Sequence, residues 1–247
     1  MTEHPEGGVD CEVWTGRLLI GAAAVMWSTS GFFAKAPWFD EWDEASRGLL
    51  LAFFRSLVAA IVLVPLIRKP QFRWPMIPMT VCFAVMVWSF MSAMVYGPAA
   101  NAIWLQYLSP AWVLVGSVLI LKEKATATDL RMFAFCLAGV GIILTMELRQ
   151  QATFYASTMA ILSGVCFAGV VLCMRTMRDV DAAWLITLNH CATVLLLFPW
   201  AYQSHRPIGI LSYAALGMFG VLQMSIPYVL FARGLRIVRA PEATMLG

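Results

Sequence analysis

The stretch that decides the fold is residues 76–96, which read MIPMTVCFAVMVWSFMSAMVY and carry no charged side chain. A helix of about 20 apolar residues is long enough to cross the hydrocarbon core of a bilayer. Comparable runs occur at 17–36, 47–67, 76–96, 99–121, 130–147, 155–174, 182–202 and 209–232, and one more opens at Pro241. The sequence therefore predicts an all-α polytopic membrane protein with eight full spans and the start of a ninth.

The composition supports a membrane environment for most of the chain. Hydrophobic residues make up 61% of the 247 residues and charged residues 13%, whereas soluble domains average roughly 45–50% and about 25%. A water-soluble fold of this length could not bury so much apolar surface in one core. We therefore expect the lipid bilayer to be the solvent of this protein.

Composition also argues against several classes of function. The formal net charge is only +3 and no basic stripe with interleaved aromatic residues occurs, so nucleic acid is not an expected partner. None of the six cysteines forms a C-x-x-C pair, and the three histidines, His4, His190 and His205, lie far apart in the sequence. Such residues predict no metal site, no cofactor and no intramembrane enzyme. The expected partners are the bilayer and a small-molecule substrate, and the oligomeric state, a homodimer included, is left open.

The positions of Lys and Arg predict how the chain is oriented in the membrane. Residues 1–16 form a polar tail, which we place in the cytoplasm. The cytoplasmic side then holds Arg17, Arg68, Lys69, Arg73, Lys122, Lys124, Arg131, Arg175, Arg178, Arg233, Arg236 and Arg239, and the outer side holds Lys35, Arg47, Arg149 and Arg206. This excess of positive charge on one side is typical of cytoplasmic loops. The prediction is a multi-pass protein of the cell membrane with a cytoplasmic N-terminus.

The order of landmarks in the first half of the chain recurs about 140 residues later. Trp27-Ser28, Arg55 and Asn101-Ala102 correspond in this way to Phe167-Ala168, Asn189 and Glu242-Ala243. Each copy begins a set of five spans, and because five is odd the second copy enters the membrane inverted. We expect the polar tail to be followed by a first repeat at 17–147 and a second, truncated repeat at 148–247.

Several short motifs, in their order and spacing, resemble those of the EamA family of the drug/metabolite transporter superfamily. They are Trp27-Ser28, Phe54-Arg55, Ser109-Pro110, Lys122-Glu123-Lys124, Gly139-Val140-Gly141 and Pro241-Glu242-Ala243. The resemblance implies a ten-helix transporter with two five-helix repeats around a central cavity. The rest of span nine and all of span ten are absent from the sequence, so we expect the natural chain to continue for about 40–50 residues, roughly two spans and a loop.

Arg55 is the most unusual residue within a predicted span. It lies eight residues after Arg47, about 12 Å further along a helix. A guanidinium at mid-membrane costs roughly 2.5–3.5 kcal/mol on insertion scales, so it needs a compensating partner. Two interpretations are open: a hydrogen-bonding hub that locks helices together, or an anchor for a substrate carboxylate or phosphate.

Six further residues are candidate substrate contacts: Trp27, Ser28, Trp88, Gln106, Tyr228 and Glu242. Each also has a structural explanation. Tryptophan in a span is often interfacial or lipid-facing, and small and polar residues such as those of span four often pack helices together. An acidic residue in a first helical turn is favoured by the helix dipole. Pro110 predicts a kink near the middle of span four.

The leading functional hypothesis is a transporter that works by alternating access, with two inverted halves moving about a midplane site. Its substrate would be an amino acid-like, nucleobase-like or amphipathic compound. No complete span carries a carboxylate at its centre, so transport would be facilitated diffusion or exchange, or would couple to protons through Glu242 or His190. A channel is disfavoured because no filter segment is evident. The alternative is a membrane scaffold or sensor without solute flux.

Overall fold

The computed structural model of the chain describes residues 6–122, 124–147 and 154–246, and within these ranges the regular elements are helices, without a β-strand. The α-helices are α1 (Glu6–Trp27), α2 (Ser30–Ala34), α3 (Glu44–Leu63), α4 (Met76–Tyr96), α5 (Ala99–Gln106), α6 (Ser109–Leu119), α7 (Ala127–Glu147), α8 (Phe154–Thr176), α9 (Ala182–Ser204), α10 (Ile210–Gly220), α11 (Ile226–Leu235) and α12 (Ala240–Leu246). Short 3₁₀ turns occupy Pro37–Phe39 and Val64–Leu66. A π-helical segment, Val221–Ser225, joins α10 to α11.

Seven stretches in the described part of the chain are long and apolar enough to cross a membrane. They are Glu12–Ala34, Glu44–Leu66, Met76–Tyr96, Ala99–Leu119, Phe154–Thr176, Ala182–Ser204 and Ile210–Leu235. The prediction of an all-α polytopic membrane protein is thereby confirmed. Helix α7 lies at the predicted fifth span and is 21 residues long, but it is not among the seven, and the count of eight spans plus a ninth stays a prediction.

The first helix begins earlier than the hydropathy of the sequence indicates. We predicted a polar tail over 1–16, whereas α1 already starts at Glu6. A helix satisfies its own backbone hydrogen bonds, so it can extend beyond the bilayer into water. The start of the apolar run therefore marks where the chain can enter lipid, and does not mark where the helix begins.

Helices of the two halves pack directly against one another. Helix α4 lies along α8, α1 lies along α11, and α3 lies along α9. Glycine permits a close approach between α3 and α4: a Cβ atom on Gly48 would lie 2.7 Å from the Cα of Ser92. Small residues at such points let helix backbones pack tightly in lipid, where no hydrophobic effect drives helices together.

Three of the spans depart from a regular α-helix. The first is interrupted at Ser28–Thr29 between α1 and α2, and the fourth at Tyr107–Leu108 between α5 and α6. The third interruption is the π-helical segment Val221–Ser225. Pro110 lies in the first turn of α6 and Pro227 in the first turn of α11, where the missing proline N–H is tolerated. The fourth span is thus interrupted directly before Pro110, near the middle of the span, where the sequence predicted a kink.

Candidate functional site

A cavity lies where the three helix interruptions meet in the interior of the bundle. Each interruption contributes polar or aromatic side chains to its lining, and so do α3 and α5; the residues that matter most are Trp27, Ser28, Arg55, Gln106, Gln223 and Tyr228. Met86, Val87 and Phe90 of α4 complete an apolar side. The cavity has a volume of about 80 Å³, which is room for several waters or part of a small organic molecule.

Five of the seven candidates from the sequence line this one cavity: Trp27, Ser28, Arg55, Gln106 and Tyr228. Residues from four spans, distant in the chain, thus converge. Trp88 and Glu242 are placed elsewhere. Trp88 is half-buried against the hydrophobic core, while its neighbour Val87 lines the cavity. Glu242 forms an ion pair with Arg17, 2.7 Å from Nη2 to Oε1.

One wall of the cavity consists of aromatic rings in mutual contact. The ring of Trp27 meets that of Tyr228 edge-on, with centroids 4.9 Å apart, and Phe167 lies 6.3 Å away at a right angle. Phe83 packs against Tyr228 from the other side, at 5.1 Å. Edge-to-face pairs of this kind are favourable beyond the area they bury. The wall is therefore a rigid apolar surface.

Gln223 holds the interrupted first span against the π-helical segment between α10 and α11. Its side-chain amide donates hydrogen bonds to the carbonyl oxygen of Met26 and to Thr29 Oγ1, and its side-chain oxygen accepts one from Ser30. Its backbone oxygen accepts the Trp27 indole N–H over 3.1 Å. Gln223 therefore joins the interrupted turn of the first span to the π-helical segment through four hydrogen bonds.

Sequence reasoning missed Gln223, although a signal was present. It is a fully buried glutamine in the middle of an apolar run, four residues before Pro227. Intramembrane polar residues are rare enough that each needs an account. The π-helical segment around it is a second signal of the same kind, because π-bulges occur frequently at functional sites.

Arg55 is nearly inaccessible to solvent, with 3% of its surface exposed. The guanidinium carbon lies 4.4 Å from the centroid of the Phe219 ring, a cation–π contact. Its Nε atom is buried and finds no hydrogen-bond partner among the described residues. A residue that locks helices together would donate hydrogen bonds to neighbouring helices. The described contacts of Arg55 include none, so they do not support that interpretation.

A second group of buried polar side chains lies between α3 and α9. Asn189 and His190 are completely buried, as is Ser56 on the facing helix. His190 Nε2 contacts the carbonyl oxygen of Met224 at 3.1 Å, and its ring packs edge-on against Phe83. Within the described part of the chain, the Asn189 amide and Ser56 Oγ have no hydrogen-bond partner. His190 is thus enclosed by protein and does not line the cavity.

Comparisons with known proteins agree with this architecture. A family model described as the EamA-like transporter family matches residues 14–145 and 154–247. A curated relative from Archaeoglobus fulgidus, named an uncharacterized transporter, is 24% identical over 234 residues, which cover 94% of this chain and 82% of that protein. A solved crystal structure of a protein shares the fold with a TM-score of 0.60 at 18% identity, over 97% of this chain and 85% of that one. The chain belongs to the EamA-like transporter family.

Proposed function

We propose that this protein carries a small organic solute across the cell membrane through the central cavity, by alternating access. Membership of a transporter family and seven apolar helices make it a multi-pass membrane transporter. The mechanism is supported by the meeting, at one cavity, of two interrupted spans and a third span with a π-helical segment. In secondary transporters, broken helices of this kind form the substrate site near the bilayer midplane.

The packing of the helices supports two inverted halves. Under the predicted repeat, α1, α3 and α4 correspond to α8, α9 and α11. If each helix is replaced by its counterpart in the other half, the contact between α4 and α8 becomes the contact between α11 and α1. The contact between α3 and α9 is replaced by itself. All three pairs occur in the bundle. Such exchange symmetry is the arrangement in which one half can rock against the other about a fixed site.

Two matched contacts support closure at alternate ends of the cavity. Lys35, after the first span, donates from Nζ to the carbonyl oxygen of Val95 over 3.0 Å. Arg175, at the end of α8, donates from Nη1 to the carbonyl oxygen of Leu235 over 3.2 Å. Each residue of the second contact stands 140 positions after its counterpart in the first. The predicted orientation places the two contacts at opposite faces of the membrane, and we call them the outer and the cytoplasmic latch.

Solute flux in proteoliposomes tests the proposal. The full chain, reconstituted and loaded in turn with amino acids, nucleobases and amphipathic carboxylates, is expected to exchange internal for external radiolabelled compound of one class. Protein-free liposomes give the background rate. A scaffold or sensor would exchange nothing, so silence across the panel in both directions would refute the transporter.

A further inference from the structure

We propose that the solute is an organic monoanion, with its carboxylate held by Arg55 and its apolar body resting on the aromatic wall of Trp27, Phe167 and Tyr228. This inference rests on the proposed transport function and narrows it to one chemical class. It selects carboxylates from the amino acid-like, nucleobase-like and amphipathic compounds that the sequence alone leaves open.

Arg55 carries a buried positive charge that no anionic partner compensates among the described residues. The side chain is 97% buried, since only 3% of its surface is exposed, and it is the one charged residue among the described residues of the lining. No ion pair of the described chain involves it. The Phe219 ring covers one face of the guanidinium, which leaves its planar edge of N–H donors for another group. A buried charge without an anionic partner is costly, and an anion in the cavity would remove that cost.

Most other polar groups of the lining are already engaged in hydrogen bonds. Trp27, Ser30 and Gln223 are hydrogen-bonded to one another. Gln106 donates from Nε2 to Ser163 Oγ over 2.6 Å. Tyr228 lines the same cavity, and no hydrogen bond of the described residues uses its hydroxyl group. Arg55 therefore remains as the charged donor that can recognise a ligand. The hydroxyl groups of Ser109, Tyr107 and Tyr228 line the same cavity.

The guanidinium of Arg55 matches a carboxylate in both charge and geometry. The guanidinium presents parallel N–H donors that fit a carboxylate in a bidentate pair, and such charge-assisted bonds are roughly twice as strong as neutral ones. An amine or amidine in the cavity would face Arg55 with no Asp or Glu among the described lining residues to offset the repulsion. The cavity should thus rank an anion above a neutral isostere and a neutral isostere above a cation.

Benzoate, benzamide and benzamidine test this ranking, because they share one ring and differ in charge. Their affinities for the detergent-solubilised full chain are measured by calorimetry at constant ionic strength. Benzoate is expected to bind at least about tenfold more tightly than benzamide, because both accept hydrogen bonds from the guanidinium but only benzoate brings a compensating negative charge. Benzamidine is expected to bind more weakly than either. Comparable or weaker binding of benzoate relative to benzamide would overturn the proposal.

Variants assign the preference to Arg55. In Arg55→Gln the advantage of benzoate over benzamide should disappear, and in Arg55→Lys it should be partly kept. Arg47→Gln is the matched control: Arg47 lies on the same helix but pairs with Asp40 outside the cavity, so the preference should be unchanged. A preference that survives in Arg55→Gln would contradict the assignment. If Arg55→Gln does not fold, Tyr228→Phe, which keeps the ring, should weaken benzoate binding by about tenfold, and unchanged binding would count against the site.

Two further experiments complete the test. The first distinguishes an organic from an inorganic anion, and the second separates the anion site from the transport function. If chloride or inorganic phosphate displaces benzoate at equal concentration, Arg55 holds an inorganic anion and the inference is wrong; resistance to displacement supports an organic ligand. In proteoliposomes, exchange of neutral compounds without exchange of carboxylates would refute the inference and leave transport standing. Tight benzoate binding with no exchange of any solute would refute transport and leave the anion site standing.

Discussion

Lys35 Nζ donates a hydrogen bond to the carbonyl oxygen of Val95 over 3.0 Å, so the end of the first span is tied to the end of the third. The same relationship recurs 140 residues later in the cytoplasmic latch, from Arg175 to Leu235. Basic side chains interact favourably with the free carbonyl oxygens at helix C-termini. Under the proposed alternating access, one of these two contacts would open while the other stays closed.

Removing one latch should loosen one end of the bundle only. Lys35→Met is expected to raise amide hydrogen–deuterium exchange around residues 30–36 and 95–98, and Arg175→Met around 172–176 and 235–239. Mass spectrometry of the reconstituted protein measures both. Lys69→Met, in the exposed connector before α4, should change neither end. Equal loosening of both ends by either variant would show that the two contacts do not act separately.

The close contact of α3 with α4 should tolerate no added methyl group. Gly48→Ala would place a Cβ atom 2.7 Å from the backbone of Ser92, and we expect a loss of about 1–3 kcal/mol from such overpacking. The matched control is Gly217→Ala in α10, where the added atom meets nothing within 4 Å and helix propensity predicts a gain of up to about 1 kcal/mol. Unfolding in detergent, followed by circular dichroism, gives both values. Equal stability of the two variants would be inconsistent with the tight α3–α4 contact.

The hydrogen bonds of Gln223 should hold the broken first span in place. Gln223→Leu removes hydrogen bonds to Met26, Thr29 and Ser30. Because a hydrogen bond contributes about 0.5–1.5 kcal/mol net, we expect a loss of about 1–3 kcal/mol and slower solute exchange. Gln71→Leu, at an exposed position whose backbone oxygen alone is used, is the control and should behave as wild type. A Gln223→Leu protein with unchanged stability and exchange would exclude this role.

An exposed ion pair between Arg73 and Asp179 joins the connector before α4 to the connector between α8 and α9. The pH dependence of its contribution to stability can be predicted. Hydrogen bonding to Arg73 lowers the pKa of the Asp179 carboxyl group, which lies between α8 and α9. A lowered pKa stabilises the fold at pH values above the ordinary one, about 3.9, and this contribution is lost as pH falls through the lowered pKa. Asp179→Asn should therefore lower the melting temperature equally at pH 5 and pH 8, and less at pH 3. A loss that grows on acidification would contradict this sign.

Hydropathy and the placement of prolines predicted the helical membrane fold. Part of the cavity lining could also be predicted from the sequence. Arg55, Trp27 and Gln106 could be singled out because polar and aromatic groups in lipid need partners. Trp88 could not be distinguished from Val87, because α4 is apolar on all sides and lipid and core select the same residues. The partners of Gln223 and Glu242 lie about 195 and 225 residues away in the chain, and only tertiary packing brings them together.

The most direct test of alternating access is the labelling of one cavity residue from both sides of the membrane. Ser28 lines the cavity, so Ser28→Cys, in a chain whose native cysteines are replaced, is exposed to a membrane-impermeant maleimide in right-side-out and in inside-out vesicles. Alternating access predicts that the cysteine is modified from either face. Modification from one face only, in vesicles of both orientations, would contradict the account.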